Sequence, residues 1–170
     1  RNISIKEPVV SDLRQDLVSG DWVVIATGRA KRPHDFITHR DGAFSQPKEG
    51  CPFEALHENV RAVYPFRDGG APADWWVQVV PNLYPALTEG ACPAPAEYGP
   101  YKKTFGIGFH EVVITRDHDR AMDAMTVEEV ETVLRAYQDR LTTIKRDPCI
   151  RYVSIFHNHG PQAGATLSHP

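Results

Sequence analysis

No stretch of this sequence stays apolar for the roughly 20 residues that a bilayer-spanning helix needs. Residues 1–16 are mixed and charged, without the apolar centre of a secretory signal. Positive charge is not in excess: 19 Lys and Arg stand against 22 Asp and Glu, for a formal net charge of −3. A protein that grips a nucleic-acid backbone would carry a basic patch or stripe, so neither membrane nor nucleic acid is an expected partner. Cysteine is scarce and odd in number. Cys51, Cys92 and Cys149 lie far apart, which argues against a disulfide scaffold and predicts free thiols in a reducing cytoplasm. What remains is an ordinary globular composition, 41% apolar and 24% charged, with 14 prolines and 12 glycines spread rather than repeated. The 170 residues suit one domain with a real hydrophobic core.

Hydrophobic patterning divides the chain into strands and one helix. Trp22-Val-Val-Ile-Ala26, bounded by Gly20 and Gly28, predicts a buried strand, and the polar stretch from Arg29 to Gly50 a loop. Trp75-Trp-Val-Gln-Val-Val80 predicts a second strand stopped by Pro81, followed by a long Pro/Gly-rich connection from Pro85 to Pro100. His110–Thr115 predicts a third, with Val112 and Ile114 on one face. Thr126 and Glu129 stand in capping-box spacing. Val130, Val133, Leu134, Tyr137, Leu141 and Ile144 follow as one apolar stripe of a helix that Asp147-Pro148 ends. Arg151–Phe156 alternates as a last strand. The sum predicts an α+β fold: a mainly antiparallel sheet with one long packed helix.

The residues that promise chemistry crowd into 156–170. Gly160 and Gly164, with small residues between them, would let backbone N–H groups approach an anion closely, and Thr166 and Ser168 add hydroxyl donors. His157, His159 and His169 share this short stretch, although the whole chain has eight histidines. Taken alone it reads more readily as a polar loop with surface histidines. Arg29 and Arg32, three apart, could make bidentate contacts to phosphate oxygens or simply form a solvated basic loop. Cys51 alone reads as a small buried hydrophobe.

Read together, these pieces resemble one family. The order Asn158-x-Gly160-x-x-x-Gly164-x-Thr166-x-x-His169-Pro170 resembles the active-site loop of the galactose-1-phosphate uridylyltransferase family, in the histidine-triad superfamily. Thr166 stands where that family usually has serine, which keeps the hydroxyl. Asp12-Leu-Arg to Asp21-Trp-Val-Val-Ile-Ala and Gly28-Arg-Ala-Lys-Arg-Pro33 resemble its N-terminal strand pair and arginine segment. Asn82-Leu-Tyr-Pro-Ala-Leu87 resembles its nucleotide-facing strand exit.

The resemblance implies an N-terminal, histidine-triad-like catalytic half that exchanges UMP between UDP-glucose and galactose 1-phosphate through a covalent nucleotidyl-histidine. His169, Asn158, Gly160 and Thr166 would serve catalysis. Arg29, Arg32, Asn82, Tyr84, Gly164 and Ser168 would bind nucleotide sugar and sugar 1-phosphate. The family motif places the nucleophilic histidine immediately after Pro170, so residues 1–170 are expected to be inactive by themselves. The family's second half and a homodimeric assembly are expected too. A relative acting on an ADP-sugar or dinucleoside polyphosphate, and a non-catalytic nucleotide-binding domain, remain alternatives.

Cys51-Pro-Phe-Glu54 resembles the family's zinc segment, with Glu54 in place of a second cysteine. By that resemblance Cys51, Glu54, His118 and His169 would hold zinc in a structural role, a set that zinc's ligand chemistry accepts. Iron, a vestigial site held by salt bridges, and His57 as a substitute ligand are the competing readings. No magnesium requirement is expected.

Overall fold

Two antiparallel sheets and one long helix carry the fold in the computed structural model, which describes residues 11–26, 48–66, 69–158 and 169. In chain order the strands are β1 (Asp12–Gln15), β2 (Trp22–Ile25), β3 (Ala62–Pro65), β4 (Trp75–Pro81), β5 (Ala96–Tyr98), β6 (Tyr101–Phe105) and β7 (Glu111–Thr115). The helix α1 spans Val127–Ile144. The class is the expected α+β, and the chain divides into two compact units. None of the described helices is long and apolar enough to cross a membrane.

The first unit takes in Arg1–Arg32 and Asn82–His110, and its four-stranded sheet runs β2-β1-β6-β5. Asp12 on β1 receives the Lys103 ammonium of β6 at 3.0 Å and the Arg14 guanidinium at 3.1 Å. Those hydrogen bonds, Lys103's first, hold its carboxyl below the usual carboxylate range. β2 forms where its apolar run predicts, but Trp22, Val23 and Val24 are exposed rather than buried. β2 is an edge strand, and β-branched composition specifies extended backbone without supplying a layer to cover it. The connection expected from Pro85 to Pro100 is cut short by the β5–β6 hairpin, whose Gly99 takes φ +60° at the turn.

The second unit takes in Pro33–Pro81 and Glu111–Pro170, with a sheet of order β3-β4-β7. β4 is its central strand and is buried from Trp75 to Val80. Trp76 and Val77 pack with Val133 and Ala136 of α1, and Tyr64, Val113, Met122, Met125 and Tyr137 close around them. β3 has no clear period in sequence; it is short, ends on Pro65 and pairs irregularly there.

Helix α1 begins as its capping box predicts, with both Thr126–Glu129 hydrogen bonds formed. Its buried face is turned from the expected stripe: Glu129, Thr132, Val133 and Ala136 are buried, while Leu134 is 54% exposed. Two ion pairs make this rotation tolerable by satisfying charges on the inward side. Arg120 binds both oxygens of Glu129 at 3.0 and 2.7 Å. Arg140 binds both of Glu111 at 2.9 and 2.7 Å.

Arg151–Phe156 is not a strand. Alternation signals a strand where a partner lies alongside, and no ladder pairs this segment among the described residues; Tyr152, Ile155 and Phe156 are exposed. Cys51 is a free thiol, as expected.

Candidate functional site

A tight turn presents the first two residues of the site. Gly50, at φ +89°, occupies backbone space that a side chain would strain. The N–H of Cys51 then bonds the Lys48 carbonyl at 3.1 Å, and that of Glu54 the Cys51 carbonyl at 3.5 Å. Behind the turn Gln78, fully buried on β4, donates to the Ala55 carbonyl and accepts from the His57 N–H, both at 2.9 Å.

The third residue, His118, follows β7 in a loop built on Asp117. One Asp117 oxygen accepts the N–H groups of Asp119 and Arg120, both at 3.0 Å, and the other takes Arg120 Nε at 2.6 Å. These hydrogen bonds, led by that from the Arg120 side chain, outweigh burial and hold the Asp117 carboxyl low. Because Arg120 also grips Glu129, the loop carrying His118 is tied to the start of α1.

His169 completes the cluster. It is buried and lies 2.7 Å from the Thr115 carbonyl through Nε2. A carbonyl only accepts, so Nε2 carries the proton and the Nδ1 lone pair faces the other three residues. Burial is the largest influence on His169 and lowers its pKa, which favours this neutral form. Phe53 packs edge-on against the ring, with centroids 5.6 Å apart.

One ligand atom from each of Cys51, Glu54, His118 and His169 lies within 4.8 Å of all the others. Zinc–sulfur bonds of about 2.3 Å and zinc–nitrogen bonds of about 2.0–2.1 Å put sulfur and nitrogen about 3.6 Å apart around a tetrahedral ion, and two nitrogens about 3.3 Å apart. Cys51 Sγ is 3.6 Å from His169 Nδ1, and the two Nδ1 atoms are 3.2 Å apart. Glu54 Oε1 is 2.5 Å from His118 Nδ1 and 3.8 Å from His169 Nδ1, so a small carboxylate rotation would even the fourth position. That oxygen is buried beside His118 Nδ1, without a hydrogen bond. Atoms aimed at a common point rather than at one another leave this pattern. The four residues fit a divalent cation: thiolate and carboxylate would neutralise its charge, and neutral His169 offers a lone pair. Glu54 thus lies in the same cluster as Cys51 and the two histidines. His57 does not join; its ring packs on Phe53, and its Nε2 is buried without a hydrogen-bond partner.

In the first unit, Asn82 and Tyr84 sit in one turn. Asn82 Oδ1 accepts the Tyr84 N–H at 2.8 Å, and the Asn82 N–H bonds the His110 carbonyl at 2.8 Å. The His110 ring holds the far end, its Nδ1 accepting the Ala86 N–H at 2.8 Å. Asn82 is half-buried and Tyr84 exposed. Asn158 is described and exposed, as is His157. Arg29, Arg32, His159, Gly160, Gly164, Thr166, Ser168 and Pro170 lie outside the described residues.

Sequence reasoning missed Gln78, Asp117, Arg120 and His110, which hold these segments in place. A glutamine inside an otherwise apolar strand was the available signal for the first. The others show no pattern apart from their partners.

Residues 71–170 match the family model described as galactose-1-phosphate uridyl transferase, N-terminal domain. ADP-glucose phosphorylase of Arabidopsis thaliana is 33% identical over 161 residues, covering 93% of this chain and 46% of that protein. Galactose-1-phosphate uridylyltransferase of Thermotoga maritima is 28% identical over 164 residues, covering 94% and 44%. The chain thus spans about half the length of the curated relatives it matches. Among solved structures, a uridylyltransferase superposes with a TM-score of 0.62 at 23% identity, over 94% of this chain and 43% of that one, a likeness of fold. The Arabidopsis ADP-glucose phosphorylase with bound ADP-glucose superposes at 0.57 and 30% identity, over 92% and 45%.

Proposed function

Because the chain belongs to the galactose-1-phosphate uridyl transferase family, we propose that the protein transfers a nucleotidyl group from a nucleoside-diphosphate sugar through a covalent nucleotidyl-histidine. The observation that carries this reading is the state of His169. Its Nε2 is held by the Thr115 carbonyl and its Nδ1 faces Cys51, Glu54 and His118. With both nitrogens engaged inside the protein, His169 positions rather than attacks. That matches a motif in which the histidine following Pro170 is the nucleophile.

In the proposed reaction, that nucleophile's neutral imidazole attacks the α-phosphorus. A nitrogen–phosphorus bond forms, the bond to the bridging oxygen breaks, and sugar 1-phosphate leaves with the electron pair. A second phosphate oxygen then takes the nucleotidyl group from nitrogen. Asn158, the Gly160 and Gly164 N–H groups, Thr166 and Ser168 would donate to the non-bridging oxygens, with Arg29 and Arg32 on the phosphates. Asn82 and Tyr84 would meet the base or ribose. Zinc, when bound by Cys51, Glu54, His118 and His169, would supply a structural cross-link, since four protein ligands leave no open position. We take the protein to be a homodimer of the cytoplasm with no magnesium requirement.

Two substrate pairs are in play. UMP exchange between UDP-glucose and galactose 1-phosphate is supported by the matching family model. Phosphorolysis of ADP-glucose is supported by the 33% identity to an ADP-glucose phosphorylase. Incubating the full-length protein with each nucleotide sugar, with and without acceptor, decides between them. Mass analysis of the quenched protein should show a nucleotidyl adduct with the preferred donor and its loss on adding galactose 1-phosphate or phosphate. Binding without an adduct from either donor would refute catalysis and leave a nucleotide-binding domain.

A further inference from the structure

We infer that Gln78 is a positioning residue for the Cys51–Glu54 half of the metal cluster, setting its distance from the His118–His169 half. The inference rests on the reading that these four residues hold a metal. Gln78 is fully buried in the middle of β4, where an apolar side chain of similar size would be the cheaper choice. Burying an amide costs free energy unless its donor and acceptor are both met. Both are met by one short loop: Nε2 donates to the Ala55 carbonyl and Oε1 accepts the His57 N–H, each at 2.9 Å. Ala55 directly follows Glu54, so this clamp fixes the backbone beside a ligand.

The other half of the cluster is referenced to the same strand. Gln78 lies opposite Ile114 in the β4–β7 ladder. The next residue, Thr115, supplies the carbonyl that orients His169, and three residues further the chain reaches His118. One glutamine therefore ties the loop with Cys51 and Glu54 to the ladder that places both histidines. It touches no ligand atom itself; it acts through backbone. Groups behind metal ligands that set their orientation commonly contribute about 10–100-fold in affinity.

The test uses the full-length protein with Zn(II) and Co(II) as probes. Affinity comes from chelator competition, geometry from the cobalt absorption bands, and stability from thermal unfolding. Gln78→Met removes both hydrogen bonds at similar volume. Val79→Ala, also fully buried on β4, is the control for destabilisation alone. Gln78→Met should bind zinc about tenfold or more weakly, with altered cobalt bands. Val79→Ala should stay within about twofold of wild type even where its Tm falls as far. Gln78→Glu keeps the acceptor for His57 N–H but sets a carboxylate oxygen against the Ala55 carbonyl, and should also weaken binding. It decides the matter by the same criterion if Gln78→Met does not fold. A Gln78 variant with wild-type affinity and spectrum, or variants at both positions losing affinity in proportion to Tm, would overturn the inference. Wild type that takes up neither metal would overturn the metal reading, and this inference with it.

Discussion

β4 is covered along Trp75–Val80, whereas β2, a tryptophan followed by three β-branched residues, leaves Trp22, Val23 and Val24 in solvent. β4 lies between two strands with α1 packed against its unit's core, and β2 is the edge of a sheet. A run of Val and Ile commits the backbone to extended structure. Burial is a property of what packs against it. The more telling difference is the polar residue. β4 keeps Gln78 in its dry interior, where it must be satisfied, and the groups that satisfy it lie beside half of the candidate metal cluster.

Perturbing the two regions in parallel should separate them. The largest effect is expected at the cluster itself. A metal at 1,000 times its Kd stabilises the folded state by about 4 kcal/mol, so Cys51→Ser or chelation should remove a contribution of that order. Hydrogen exchange should localise the loss to the second unit, with the β1–β2 and β5–β6 pairings little changed. Equal loosening of both sheets would break the contrast.

Next comes the core of the second unit. Ile114→Ala should cost about 2–5 kcal/mol in denaturant unfolding. Val24→Ala on exposed β2 should stay within about 0.5 kcal/mol. Comparable losses would mean that β2 is covered in the protein in solution.

A smaller effect is expected at the start of α1, where Thr126→Ala removes one arm of the capping box for about 1 kcal/mol. The smallest concerns pH. Hydrogen bonds from the Arg120 side chain, the largest influence, and from Thr126 hold the Glu129 carboxyl below its ordinary value of 4.5. A depressed carboxylate contributes stability above that value and loses it as pH falls through the folded-state pKa. Glu129→Gln should therefore flatten the acid limb of the stability profile below about pH 4.5 and leave its neutral plateau with a constant offset. An unchanged acid limb would show that Glu129 is not linked to folding.

Much of the fold was legible from residues whose signals are local. The capping box named the start of α1, and the Trp75 and Glu111 runs named β4 and β7. The rotation of α1 was not legible, because Glu129 and Arg140 reach inward through Arg120 and Glu111, partners distant in sequence. Arg151–Phe156 failed for the complementary reason, its alternation having no partner strand among the described residues. The cluster was legible only through the family resemblance, which brought Cys51, Glu54, His118 and His169 together; Cys51 by itself read as a small buried hydrophobe. Its supports were not, because Gln78 and Asp117 act on backbone groups that sequence does not display.

Zinc-edge X-ray absorption on the purified full-length protein tests the central claim most directly. The expected result is stoichiometric zinc with one sulfur at about 2.3 Å, from Cys51, and three nitrogen or oxygen neighbours at about 2.0–2.2 Å, from His118, His169 and Glu54. Stoichiometric zinc without a sulfur neighbour, or protein that takes up no zinc, would contradict it.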